Sequence, residues 1–155
     1  MTRTFDSRGA LVALTDEVGR LNGRLKSAFA ATRKSVGLGE SEMTVLNAVV
    51  EAERAPTVPQ IGRSLGLPRQ QIQRAANALA QAGLIETTAN PDHRRAALLV
   101  ATAAGREVKA RADVAADAIA ARLGQGLDLA AAQAAVLQLR AVRQALEARL
   151  RQGDC

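Results

Sequence analysis

Gln70, Gln73, Arg74 and Asn77 recur at i, i+3, i+4 and i+7, a spacing that places four hydrogen-bonding side chains on one face of a helix. Arg69 flanks the same face and no acidic residue interrupts it. Gln and Asn match the two major-groove groups of adenine, and Arg those of guanine, so the chemistry on offer is the reading of base edges. A solvated helix face without a partner is the alternative on composition alone. Further along, Asn90–Pro91–Asp92 supplies turn chemistry ahead of His93, Arg94 and Arg95. A cationic hairpin tip suits the narrow minor groove, where negative potential is strongest, and Arg94 is the side chain expected to reach it. Asp92 can hold a neighbouring Arg by a bidentate pair. Asp92 and Arg94 bracing the turn, with no part in binding, is the alternative.

Catalytic chemistry has no comparable footing. No nucleophile stands with a base, and Gly37–Leu38–Gly39 and Gly124–Gln125–Gly126 lack the context of a phosphate loop and read as helix breaks. His93 on a hairpin tip excludes no water and makes a poor general base. One His and one Cys, far apart, do not form a metal site. The expectation is a non-enzyme without metal or cofactor. Cys155, the single cysteine, permits no intrachain disulfide and fits a reducing cytoplasm; it is read as incidental. No apolar run is long enough to cross a bilayer and no signal-peptide core is present, so a cytoplasmic protein without a membrane partner is expected.

The elements that must carry these side chains can be traced from apolar spacing and punctuation. A first helix is expected over about 7–34, with Leu11, Leu14, Val18, Leu21, Leu25 and Ala28 as its seam. Ser41 is placed to cap a second, with Met43, Leu46, Val49 and Val50 inward. Thr57–Val58–Pro59–Gln60 reads as a capping box opening a short helix that faces Ile61 and Leu65 inward and stops at Gly66. Leu67–Pro68 starts the glutamine-bearing helix, whose inner face is Ile72, Ala75, Ala76 and Leu79 and which ends at Gly83. Two helices joined so tightly form a helix-turn-helix signature. Leu84–Thr87 and Ala97–Ala101 read as paired strands, and Thr102 as the cap of a long helix to about Leu123. Asp128 opens a last helix bearing Val136, Leu139, Val142, Leu146 and Leu150.

Phe5 and Phe29 are the only aromatic residues, so the core must be built from Ala, Leu, Val and Ile, a composition that favours helix. A chain of 155 residues with so thin a core gains from burial against a second copy. The terminal helices carry seams that suit a two-fold dimer, with Leu11, Leu14 and Val18 at one end and Leu139, Leu146 and Leu150 at the other. Mutual coverage of the end helices within one chain is the alternative. The net charge of +6, carried nearly all by Arg, fits a nucleic-acid partner. Genome base composition is a sufficient cause for the Arg outside residues 57–95.

With those residues in place, the chain resembles the MarR family of multiple-antibiotic-resistance regulators. Gly66–Leu67 entering the glutamine-rich helix, Ala82–Gly83–Leu84–Ile85 at its end, Asp92–His93–Arg94–Arg95 in the hairpin, and Thr102 with Gly105 match the family pattern in order and spacing. The resemblance implies a mainly α fold. A single domain over 1–155 would hold a winged helix-turn-helix at about 40–105, a small β-hairpin wing, and long dimerisation helices at about 7–34 and 106–150. It implies a homodimer on a pseudo-palindromic operator of double-stranded DNA, with recognition helices about 10 base pairs apart and Arg94 in the minor groove. It further implies a repressor, and in many members a small-molecule effector, often an aromatic anion, lodged between the dimer helices and the DNA-binding region. With Phe29 alone near that cleft, a pocket here is expected to be aliphatic with Arg at its mouth. A protein-docking module on the same fold fits less well, because interface cores are depleted of charge and rich in aromatics.

Overall fold

A computed structural model describes residues 6–92 and 95–153. The described elements run α1 (Ser7–Ala28), α2 (Ala30–Ser35), α3 (Glu40–Val50), α4 (Val58–Leu65), α5 (Arg69–Gln81), β1 (Ile85–Thr88), β2 (Leu98–Ala101), α6 (Ala103–Gly124) and α7 (Leu129–Arg151). The fold is mainly α with one two-stranded hairpin, as expected. Contacts divide the chain into two compact units, Met1–Asp117 and Ala118–Cys155.

Local signals set most boundaries of the first unit. Asp6 Oδ1 accepts from the Gly9 N–H at 2.7 Å and caps α1. The Thr57 capping box is present: the Thr57 N–H donates to Gln60 Oε1 at 2.7 Å, and the Gln60 N–H donates back to Thr57 Oγ1 at 3.4 Å. Gly66 closes α4 in the left-handed region, at φ 64°, as a tight C-cap requires.

Three expectations are corrected. The helix expected over 7–34 is broken at Phe29, whose φ and ψ of −91° and 9° leave the helical region. The half-buried Phe29 there lines a cavity with residues of α3 and α6, a tertiary demand without local punctuation. Ser41 does not cap α3. Gly39 takes that position and Glu42 Oε2 accepts its N–H at 2.8 Å, leaving Ser41 in the first turn, facing α5. Leu65 is not inward but 44 % exposed, at the last position of α4 where the chain turns at Gly66.

The core joins Val45, Leu46 and Val49 of α3 to Ile61 of α4, Ile72 and Leu79 of α5, Leu99 of β2 and Val108 of α6. Its least expected joint lies where α5 hands over to β1. The Thr102 N–H donates to the Leu84 carbonyl at 3.1 Å, Thr102 Oγ1 donates to the Gly83 carbonyl at 2.7 Å, and the same hydroxyl accepts the Gly105 N–H at 3.1 Å. Thr102 thus caps α6 and ties its first turn to the turn that follows α5. Gly105 is buried there, and a Cβ at this position would run directly onto the Leu84 carbonyl oxygen.

Lys109, one turn further along α6, is 8 % exposed. Its Nζ lies 2.6 Å and 2.7 Å from the two Asp113 carboxylate oxygens and 3.1 Å from Glu51 Oε1 at the end of α3. Burial pushes its pKa down, but hydrogen bonds and charge from Asp113 and Glu51 outweigh this and hold it above the usual 10.5.

In the second unit, Asp128 Oδ1 accepts the Ala131 N–H at 3.0 Å and caps α7 as its sequence foretold. Arg143 and Glu147 pair at 2.6 Å on its surface, an exposed contact worth little.

Gly105→Ala should lower stability by about 1–3 kcal/mol through overpacking, whereas Gly19→Ala in α1, where an added Cβ meets nothing within 4 Å, should leave it unchanged or raise it. Thermal melts of the two variants separate these outcomes; a harmless Gly105→Ala would refute the close approach. Lys109→Ala should cost about 1–3 kcal/mol, below the full value for a buried pair because Glu51 and Asp113 are half exposed or more. Since the folded pKa is raised, this contribution is complete below pH 10.5 and disappears as pH rises through the folded value. Denaturant melts of wild type and variant should therefore converge only in the alkaline range.

Candidate nucleic-acid interface

The register of α5 follows from its buried stripe. Ile72, Ala75, Ala76 and Leu79 are each at most 4 % exposed and face α3 and α4. A helix fixed on that side presents the opposite one to solvent, and Arg69, Gln70, Gln73, Arg74 and Asn77 are all exposed there. Gln73 Nε2 donates to Asn77 Oδ1 at 3.0 Å, so these two side chains are held side by side along the face. Gln71 is turned away and donates through Nε2 to Ser41 Oγ at 2.9 Å, anchoring the helix start to α3.

The turn before α5 is tight. The Leu67 N–H bonds the Gly62 carbonyl at 2.9 Å, and a Cβ on Gly62 would stand 3.1 Å from the Leu67 carbonyl. This close crossing brings Arg63 of α4 into the same groove as Arg69. Arg63 escaped the sequence reading because it belongs to the neighbouring helix. A second groove holds Gln70 and Arg74 beside Glu40 and Glu42 of α3, so the acid-free face of α5 has carboxylates across its edge.

The hairpin pairs Ile85 with Ala101, Glu86 with Val100, Thr87 with Leu99 and Thr88 with Leu98. Strand β1 begins at Ile85 rather than Leu84, which is buried in the preceding turn. Its root is held by an unexpected partner: the Leu99 N–H donates to the Pro56 carbonyl at 2.8 Å, and Thr57 bridges Leu98. At the loop, Asn90 supplies a brace. Its Oδ1 accepts the Asp92 N–H at 3.0 Å and its Nδ2 donates to the Ala96 carbonyl at 2.9 Å. Asp92 and Arg95 are exposed and form no ion pair among the described residues. His93 and Arg94, the expected tip residues, lie outside the described residues.

Of the residues expected at the dimer seams, Leu11 and Val18 on α1 are 50 % and 42 % exposed, and Leu146 and Leu150 on α7 are 44 % and 63 % exposed. Leu14 and Leu139 are half-buried. No described helix is long and apolar enough to cross a membrane, and the described residues contain no group of three or more His, Cys, Asp or Glu able to hold a metal ion.

A helix-turn-helix with an exposed polar recognition face and a β-hairpin beside it defines a winged-helix protein. The MarR family model matches residues 36–96. An uncharacterized protein of Mycobacterium bovis is 38 % identical over 138 residues, covering 89 % of this chain and 95 % of the relative, and one of Mycobacterium tuberculosis matches equally. Among solved structures, CouR from Rhodococcus jostii RHA1, bound to p-coumaroyl-CoA, superimposes with a TM-score of 0.67 at 26 % identity, over 86 % of this chain and 93 % of that one. The transcriptional repressor CouR on a 23-mer DNA duplex gives 0.69 at 24 % identity, over 90 % and 99 %. A MarR/EmrR family regulator from Acinetobacter sp. ADP1 gives 0.72 at 20 % identity, over 87 % and 95 %. The chain belongs to the MarR family of transcriptional regulators.

Asn90→Ala should free the wing loop without unfolding the chain. Amide hydrogen exchange between Thr88 and Leu98 should speed up severalfold while the α3 and α5 core amides keep their protection. Unchanged exchange at the loop would show that Asn90 is not its brace.

Proposed function

We propose that this chain is a cytoplasmic, dimeric transcriptional repressor that binds a pseudo-palindromic operator in double-stranded DNA and answers to a small-molecule effector. One observation carries the reading. Arg69, Gln70, Gln73, Arg74 and Asn77 share an exposed helix face whose register is fixed by a fully buried opposite side. Gln70, Gln73 and Asn77 offer paired amide groups to adenine, and Arg69 and Arg74 offer forks to guanine or phosphate. The wing would add Asp92, His93, Arg94 and Arg95, with Arg94 in the minor groove. Membership in a family of regulators supports a binding role over an enzymatic one.

Dimerisation is supported by apolar stripes that folding leaves open. Leu11, Leu14 and Val18 on α1, and Leu139, Leu146 and Leu150 on α7, are the residues proposed to meet a second copy. The whole chain then acts as one functional domain, its termini serving as the frame and residues 40–105 as the DNA-binding region. The repressor sign and the effector are supported by CouR, a repressor described on a DNA duplex and with p-coumaroyl-CoA.

Selection of bound fragments from random duplex DNA at fixed salt tests the reading. A two-fold sequence should be enriched, and its affinity should fall steeply as salt rises through counterion release. Arg74→Ala should cost about 1–3 kcal/mol at one position of each half-site, whereas Arg94→Ala should weaken all sequences and flatten the salt dependence. Enrichment of no palindrome, or a monomer by light scattering at the binding concentration, would defeat the proposal.

A further inference from the structure

The groove beside the α4–α5 turn carries two cations and no acid. Arg63 of α4 and Arg69 of α5 line it, and the rest of its lining is Pro59, Gly62, Gly66 and Leu67. Both arginines are exposed, and neither forms an ion pair among the described residues. The elements that carry them are fixed. The Thr57 capping box and the buried Val58 and Ile61 hold α4, the Leu67 N–H bond to the Gly62 carbonyl holds the turn, and the Gln71–Ser41 bond holds the start of α5. A cation suits the last turn of a helix, where Arg63 stands, but not the first, where Arg69 stands without an acidic residue beside it. The α5 helix gains nothing from Arg69 at that position; an anion in the groove gives it a role.

The groove on the α3 side of the same helix has a different balance of charge. It holds Gln70 and Arg74 together with Glu40 and Glu42. Lys26 lies 2.6 Å from Glu40, but Glu42 gives one oxygen to the Gly39 N–H and forms no ion pair among the described residues. A phosphate approaching Arg74 along that groove meets a carboxylate of its own sign, whereas one approaching Arg63 and Arg69 meets none. A base edge carries no net charge, so the carboxylates leave Arg74 free to pair with guanine.

We propose that a phosphodiester of the DNA backbone seats between Arg63 and Arg69, so that these two arginines anchor the recognition helix while base reading falls to Gln70, Gln73, Arg74 and Asn77. Two guanidinium forks match the geometry and charge of a phosphate. The assignment takes Arg69 out of the base-reading set and adds a residue of α4 to the interface. It also orients α5 on the duplex, with the flank next to Arg63 against a strand. The inference rests on the regulator reading above and deepens it.

Binding of the full chain to the duplex recovered by selection, and to a scrambled duplex of the same length, tests this division. Arg63→Gln and Arg69→Gln should each weaken binding to both duplexes by the same factor, on the order of tenfold at fixed salt, and flatten the salt dependence. Arg63→Lys, which keeps the charge, should keep the salt dependence of wild type. Arg74→Gln should weaken binding to the selected duplex more than to the scrambled one. Backbone phosphates of the selected duplex are then replaced one at a time by uncharged methylphosphonate. One position in each half-site should cost the wild type affinity yet cost Arg63→Gln and Arg69→Gln no further loss. A loss in Arg69→Gln confined to the selected duplex, or the absence of such a position, would overturn the assignment. Wild type that binds both duplexes, with Arg63→Gln binding them equally well, strikes this inference alone. Wild type that binds neither duplex strikes the regulator reading and this inference together.

Discussion

The seating of α5 on α3 is the constraint from which the rest of the DNA-binding region follows. Ile72 and Leu79 drive it, each worth about 1.5–3 kcal/mol on full burial. Ala75 and Ala76 permit it, because a larger side chain on that stripe would hold the two helices apart. A helix turns as a rod, so fixing four inner residues fixes the direction of every outer one. The Gln71–Ser41 hydrogen bond pins the start of the rod, and the Thr102–Gly105 junction pins its end through Gly83 and Leu84. Five exposed polar side chains acquire a common orientation with one hydrogen bond among them, Gln73 to Asn77.

Features written in neighbouring residues were legible in the sequence. The Thr57–Gln60 box, the Gly66 stop, the Thr102 and Asp128 caps and the two-sidedness of α5 depend on groups within about one or two helical turns, where geometry follows from residue type alone. What escaped depends on partners distant in sequence. Phe29 breaks a continuous apolar seam, and no Gly or Pro marks the position. Ser41 has the chemistry of a cap but spends its hydroxyl on Gln71, thirty positions away. Lys109 carries no local mark of burial, because its partner Glu51, 3.1 Å away, comes from the end of another helix. In the wing, Asn90 was read for its turn propensity, whereas its second bond, to the Ala96 carbonyl, spans the loop and depends on a partner six positions away.

The distribution of ion pairs separates framework from interface. Lys26 and Lys109 are committed to Glu40 and to Asp113 with Glu51, and both pairs lie among the helices that support the recognition segment. Arg63, Arg69, Arg74 and Arg95, on the recognition side, form no ion pair among the described residues. An exposed pair gains little for stability, so leaving these four unpaired costs the fold almost nothing. For a polyanion the same vacancy is decisive, because each guanidinium can meet phosphate or guanine without first breaking a bond.

The two ends of α5 are held by different helices. Through Leu46, Ile72 and Leu79, α3 sets the seat of the recognition helix; through Thr102 and Gly105, α6 sets its far end. A change in the spacing of those two helices therefore acts on both ends of α5 at once, and rotation of that one rod moves Arg69, Gln70, Gln73, Arg74 and Asn77 together.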